Sequence, residues 1–274
     1  CLFWCCFMMN LAGVYRFGTP EQPPLLLLHS SQSTSGQWRG LVQQIQDDFD
    51  ILAIDLLGYG KAPDANHIEP EGFRFADEMP RILEAVEAVG WQQEVTLVGH
   101  SYGGALALKI ALEQPFAVKA LVAFEPVAFH VLEANEAARL EIENVATQME
   151  QFEQWTATAA FVDYWNHPGF FESLPEGMQA VMLQQASKVT RDFAALMGEP
   201  HKLTDYRLVN VPVLLLQGKE TQASARQVAQ YLLSVLPHAQ AKELACGHMG
   251  PVTHPHLVNP EIVQFLMHQV IEVA

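Results

Sequence analysis

With 274 residues, half of them apolar, the chain can bury a large core as one domain or as a core with an insert, which excludes a disordered protein. Its formal charge of −16, from 31 acidic against 15 basic side chains, argues against nucleic acid or an anionic membrane surface as partner, because both require a basic face. Cys1, Cys5 and Cys6 crowd the N-terminus and only Cys246 lies in the body, so no disulfide framework is indicated and a reducing, cytoplasmic compartment is expected.

Residues 1–10 open with the apolar run Cys1 to Met9, which is too short to span a bilayer and lacks the basic start of a secretion signal. They read as a translated leader, with Met8 or Met9 as the natural start. Leu25 to Leu28 is a buried-strand run, followed by a polar loop at His29 to Gly36 and a helix through Trp38, Leu41, Val42 and Ile45. Ile51 to Ile54 forms a strand ending at Asp55, then the Gly-rich loop Leu57-Gly58-Tyr59-Gly60. A helix is predicted from Phe75 to Val89, with Ile82, Leu83, Val86 and Val89 on one face. Glu94 to Val98 is a short strand, Ala105 to Leu112 a helix ending before Pro115, and Val118 to Phe124 another strand. Such alternation builds a mostly parallel sheet with helices on both sides.

The alternation stops at Phe129. Residues 129–207 read as helical, with Leu132, Leu140, Val145, Met149 and Phe152 at helical spacings and an aromatic cluster at Trp155, Phe161, Tyr164, Trp165, Phe170 and Phe171. Pro212 to Gln217 resumes the strand pattern, followed by an amphipathic helix from Gln222 to Leu236, a strand from Ala239 to Leu244 and a closing helix from Pro255 to Val273. The expected organisation is a core of residues 11–128 and 208–274 interrupted by a helical cap at 129–207.

Between the strand at Val98 and the helix at Ala105 stands Gly99-His100-Ser101-Tyr102-Gly103. A serine between strand and helix must take a strained backbone to project its oxygen, and glycines two residues away on either side remove the Cβ atoms that would clash. The helix behind it brings its first N–H groups and positive end near any negative charge that develops. Gly-x-Ser-x-Gly recurs by chance in about one chain in ten of this length, so the strand-to-helix context carries the weight.

With this turn, three further motifs in order make the chain similar to the α/β-hydrolase family, over nearly all of residues 11–274. Leu25 to Leu28 followed by His29-Ser30-Ser31 resembles its oxyanion loop, Asp55-Leu56-Leu57-Gly58-Tyr59-Gly60-Lys61 its Asp-x-x-Gly-x-Gly segment, and Cys246-Gly247-His248-Met249 its catalytic-histidine loop. The resemblance implies an α/β fold with a helical cap, Ser101 as nucleophile, His248 as its base, and the Ser31 and Tyr102 N–H groups as the oxyanion hole. Ser30 stands where the family usually has glycine, which keeps the N–H count but loosens the expectation for the loop's geometry. The third member departs from the commonest pattern, for the usual acid position holds Thr221. Glu220 lies one residue early, whereas Glu125, directly after the strand Val122-Ala123-Phe124 and before Pro126, occupies a second location known in the family and is favoured.

Other residues invite weaker readings. His29 and His100 are expected to orient loops, and Cys246 to be a small packed residue. Pro251 and Pro255 break any ligand spacing among His248, His254 and His256, so no metal is expected. Trp165 and Phe170 flank a turn at Asn166, Pro168 and Gly169 and are the candidates to meet substrate. The expected function is hydrolysis of a small, largely apolar ester, lactone or related carbonyl compound through an acyl-enzyme, with no cofactor implied and the oligomeric state unread. A serine nucleophile excludes the dehalogenase and epoxide-hydrolase variants of the fold, which use a carboxylate there. The alternatives are carbon–carbon bond hydrolysis of a diketone-like compound and a ligand-binding receptor with little turnover.

Overall fold

The computed structural model describes residues 11–271, so the expected leader at 1–10 lies outside the described residues. Strands β1 (Val14–Gly18), β2 (Pro24–Leu28), β3 (Asp50–Ile54), β4 (Val95–His100), β5 (Val118–Phe124), β6 (Val213–Gly218) and β7 (Ala239–Leu244) form one sheet in the order β1-β3-β2-β4-β5-β6-β7. All neighbours are parallel except β1, which runs antiparallel to β3. This is the layered α/β architecture that the alternation predicts. β1 escaped that reading because Val14-Tyr15-Arg16-Phe17-Gly18 is short and interrupted by a charge. Its register is held by the Arg16 guanidinium, which donates to both carboxylate oxygens of Asp50 at 2.8 and 2.6 Å.

Alternation along each strand sorts the side chains to two faces. Leu25, Leu27, Ile51, Ala53, Val98 and Val122 pack on one face with α1 (Arg39–Ile45) and α11 (Pro255–Ile271). Leu26, Leu28, Leu52, Ile54 and Leu97 pack on the other with α2 (Phe75–Val89), α3 (Tyr102–Glu113) and α9 (Ala223–Val235). In α2 the buried stripe is Met79, Ile82, Ala85 and Val86, while Leu83, expected on that face, is 37% exposed. Among the described residues, no helix is long and apolar enough to cross a membrane.

Between β5 and β6 the chain forms α4 (Ala137–Gln151), α5 (Gln154–Trp165), α6 (Phe170–Ser173), α7 (Glu176–Gln184) and α8 (Ala186–Gly198), and a further short helix, α10 (Gly250–Thr253), follows β7. The buried stripe of α4 is Ala138, Ile142, Val145 and Met149, spaced at i, i+4, i+7 and i+11. Leu140 and Phe152 fall off this stripe and are 53% and 48% exposed. Ile142→Ala is therefore predicted to cost about 2–5 kcal/mol, and Leu140→Ala less than about 0.5 kcal/mol. Urea unfolding of the two variants checks this, and equal costs would show that the face is assigned wrongly.

Candidate active site

The turn after β4 is tight because two backbones pass where side chains would stand. A Cβ on Gly99 would lie 2.4 Å from the Gly103 carbonyl oxygen, and one on Gly103 would lie 2.4 Å from that of His29 and 2.5 Å from that of Leu28. Ser101 itself has φ 54° and ψ −117°, a conformation costing on the order of 1–3 kcal/mol that the surroundings must hold. Its N–H donates to the Phe124 carbonyl at 3.0 Å, which ties the turn to the end of β5.

That strand end also carries Glu125, again at positive φ, 42°, with its N–H bonded to Leu216 O at 2.8 Å. One carboxylate oxygen, Oε1, accepts the Gly218 N–H at 2.7 Å. The other, Oε2, accepts the Thr221 hydroxyl at 2.5 Å and meets His248 Nδ1 at 2.6 Å. A carboxylate can only accept, so Nδ1 carries the imidazole proton and Nε2 is left to accept from Ser101 Oγ, 2.9 Å away. Ser101, His248 and Glu125 thus form one buried hydrogen-bonded chain. Glu220 is exposed and its N–H bonds to Cys246 O. Thr221, where the resemblance leads one to expect an acid, instead donates its hydroxyl to the Glu125 carboxylate at the end of β5. The sequence put threonine there without showing what it would bind.

A further layer fixes His248. His100 Nε2 donates to the His248 carbonyl at 2.9 Å, and its Nδ1 faces the Gln37 amide nitrogen at 3.4 Å. Gln37 Oε1 in turn accepts from the N–H and hydroxyl of Ser30 at 3.1 and 3.2 Å. His29 donates from Nδ1 to Ser30 O at 2.7 Å and accepts the Leu56 N–H on Nε2 at 2.9 Å. Both histidines orient loops, as expected. Burial, with Lys188 nearby, holds His29 down to about 4, and burial next to His248 pushes His100 well below the usual histidine range. Burial likewise pushes the Cys246 thiol up to about 11, which leaves it protonated and a poor nucleophile at neutral pH.

The indole of Trp165 stacks on the His248 ring, centroids 3.9 Å apart and planes 29° apart. It separates two small cavities that both reach Ser101. One, of about 50 Å³, is lined by Ser30, Ser31, Gln32, Asn166, Met182 and Met249 besides Trp165. The other, of about 10 Å³, is lined by Val127, Phe129, Phe161, Val189, Phe193 and Leu196, with Ser31 and Asp192 as its polar edge. Phe170 lines neither cavity, because the turn at 166–169 carries the chain away from the site and its ring meets His167 at 5.2 Å. Ser31 and Tyr102 flank the Ser101 turn. Sequence reasoning missed Asp192, which accepts the Ser31 hydroxyl at 2.5 Å.

The rings of His254 and His256 lie near each other in a tilted arrangement, 5.8 Å between centroids and 40° between planes. Among the described residues, the side chains close enough to share a cation are Glu113, Glu199 and His201, at the far end of α3 from Ser101. Lys109 already bridges Glu113 and Glu199 there, at 2.6 and 3.2 Å.

Two outcomes are predicted. Gly103→Ala forces a Cβ against two backbone carbonyls and is expected to destabilise the fold by at least about 2 kcal/mol, read from urea unfolding; a cost under about 0.5 kcal/mol would contradict the close approach. His29 and His130, both held down to about 4 by burial, bind protons later in the folded than in the unfolded state. Stability should therefore be full above pH 6.5 and fall as the pH drops toward 4, by about 2 kcal/mol per buried imidazole at pH 5. A urea midpoint unchanged between pH 7 and pH 5 would contradict it.

Residues 23–255 match the family model described as the alpha/beta hydrolase fold. The chain is 26% identical over 262 residues to the carboxylesterase YbfK of Bacillus subtilis, an alignment covering 91% of this chain and 82% of that protein. It is 23% identical over 253 residues to the 2-hydroxy-6-oxo-6-(2'-aminophenyl)hexa-2,4-dienoic acid hydrolase of Metapseudomonas resinovorans, covering 89% and 83%. In fold it superposes on the enol-lactonase from Burkholderia xenovorans LB400 with a TM-score of 0.71 at 16% identity, covering 93% of this chain and 96% of that one. With the family model covering most of its length, the chain belongs to the alpha/beta hydrolase fold family.

Proposed function

We propose that the protein is a serine hydrolase that cleaves a small, largely apolar ester, lactone or related carbonyl compound through an acyl-enzyme on Ser101. The observation that carries this reading is the continuous hydrogen-bonded chain from Ser101 Oγ through His248 to Glu125, with spacings of 2.9 and 2.6 Å. A serine hydroxyl is a poor nucleophile at neutral pH, and a neutral imidazole in contact can take its proton as Oγ attacks a carbonyl. Glu125 orients that imidazole and stabilises its charged form. The negative oxygen that develops is held by the N–H groups of Ser31 and Tyr102, each such donor being worth roughly 3–4 kcal/mol in the transition state. Proton transfer from His248 then releases the alcohol, and a water deprotonated by the same imidazole frees the acid.

Residues 129–207 serve as a cap over the core of 11–128 and 208–274, with Trp165 as the substrate contact. The small volumes of about 50 and 10 Å³ beside Ser101 favour a compact substrate. This chemistry calls for no metal or organic cofactor from the protein. The acidic surface suits a small-molecule substrate rather than nucleic acid or an anionic membrane, and the single cysteine in the body suits the cytoplasm. The likeness to a hydrolase named for a hexadienoic acid substrate favours, as a second reading, cleavage of a carbon–carbon bond in a diketone-like compound by the same groups.

A panel of p-nitrophenyl esters of increasing acyl length, run beside a vinylogous diketone, separates the two. Ester turnover that falls with acyl length and vanishes in Ser101→Ala is expected; turnover surviving in Ser101→Ala would overturn the mechanism, and turnover of the diketone alone would favour the second reading. Glu125→Gln should lower kcat by about 10²-fold or more, in line with the large loss when a triad acid is neutralised. Glu220→Gln should stay within about twofold of wild type, as expected for an exposed group outside the hydrogen-bonded chain. The reverse ranking would move the acid to Glu220.

A further inference from the structure

The side chains of Ser31 and Tyr102, whose N–H groups are proposed above to hold the oxyanion, end in the same buried polar network. Ser31 Oγ donates to Asp192 Oδ2 at 2.5 Å, and the Tyr59 hydroxyl donates to the same oxygen at 2.5 Å. Asp192 Oδ1 accepts from Lys188, one turn earlier on α8. Lys188 Nζ also donates to Glu78 Oε1 at 3.0 Å, which accepts the Tyr102 hydroxyl at 3.3 Å, while Glu78 Oε2 accepts the Leu57 N–H at 3.0 Å. The ammonium lies 4.7–4.9 Å from the ring centroids of Tyr59, Phe73 and Tyr102. Lys188, Asp192 and Glu78 are all buried. Burial opposes the charge on Lys188, but Asp192 and Glu78 outweigh it and hold the lysine above its usual range.

Two features set this apart from a structural ion pair. The first is where it attaches: it holds Ser31, the middle of three successive residues that each have a separate tether. Ser30 is held from the core by Gln37. Ser31 and Gln32 are held from the helical insert, by Asp192 on α8 and by the Met182 carbonyl on α7, which accepts from Gln32 Nε2 at 3.0 Å. The second is strain next to that contact, since Gln32 sits at φ 52° without being glycine.

We propose that Asp192 is a positioning residue for the oxyanion hole: through the Ser31 hydroxyl, α8 of the insert sets the direction of the Ser31 N–H, and through Lys188 and Glu78 it is coupled to Tyr102. Asp192 takes no part in bond making. Its effect is on how well the two N–H groups converge on a developing oxyanion, and so on kcat rather than on ground-state binding. This rests on the serine-hydrolase reading given above.

Removing Lys188 would leave two carboxylates buried together and endanger the fold, so the test uses Ser31→Ala, which keeps the backbone N–H and leaves Asp192 bonded to Tyr59 and Lys188. On a p-nitrophenyl ester that the wild type turns over, Ser31→Ala is expected to lower kcat about tenfold, a fraction of the loss when a donor is deleted outright, with KM within about twofold. Inhibition by a trifluoromethyl ketone, which forms a tetrahedral oxyanion on Ser101, should weaken in step with kcat. Ser31→Thr, retaining a hydroxyl, should restore most of the activity, and adding Asp192→Asn to Ser31→Ala should cost less than the two single losses multiplied. Folded Ser31→Ala protein, judged by an unchanged melting temperature, with wild-type kcat and wild-type ketone affinity would overturn the proposal while leaving the hydrolase reading intact. A wild type that neither turns over any ester nor binds the ketone would overturn both.

Discussion

A strand must hand over to a helix within one residue at Ser101, and every other feature of the site follows from how that turn is accommodated. Gly99 and Gly103 clear the space, and the strained Ser101 backbone is held by a hydrogen bond to the end of β5. Because β4, β5 and β6 are parallel neighbours, their C-terminal ends lie side by side. Ser101, Glu125 and Gly218 therefore meet at one edge of the sheet, where ligands of open α/β sheets are bound. His248, after β7, needs only to reach across that edge. The Glu125 carboxylate is satisfied by Gly218, Thr221 and His248 together, which suits a buried charge that would otherwise be costly.

What was legible in the sequence was what depends on short-range sterics and on apolar runs. The strands at Leu25, Ile51 and Val118, the helix from Phe75 to Val89 and the turn at Ser101 all belong to this class. β1 did not, because its five residues are broken by Arg16 and lack an apolar run. The phase of α4 did not either: its few apolar residues fit more than one face, and only the neighbouring helices decide that Ile142 goes in and Leu140 out.

The acid is the instructive case. The sequence favours Glu125 and leaves Glu220, one residue early, as an alternative that needs a rearranged loop, because loop geometry after a strand is not encoded in residue spacing. In the structure, Thr221, three residues beyond the end of β6, donates its hydroxyl to Glu125, so the threonine at one position and the carboxylate at the other are parts of one arrangement. Lys188 and Asp192 were invisible for a related reason. An i,i+4 pair of opposite charge in a helix reads as a solvated surface pair, and only the placement of α8 over Glu78, Tyr59 and Ser31 buries it. The insert lines the cavities beside Ser101 and, through Ser31 and Gln32, touches the loop on which the proposed chemistry depends.

The central claim is that Ser101 is a nucleophile activated by His248, and stoichiometric phosphorylation tests it most directly. On treatment with diethyl p-nitrophenyl phosphate, attack by Ser101 Oγ on phosphorus forms an O–P bond and expels p-nitrophenolate. Wild-type protein should release one equivalent of nitrophenolate and gain one diethylphosphoryl group, mapped by peptide mass to Ser101, while Ser101→Ala and His248→Gln should show neither at a comparable rate. Equal labelling of Ser101→Ala, or none of the wild type, would contradict the account.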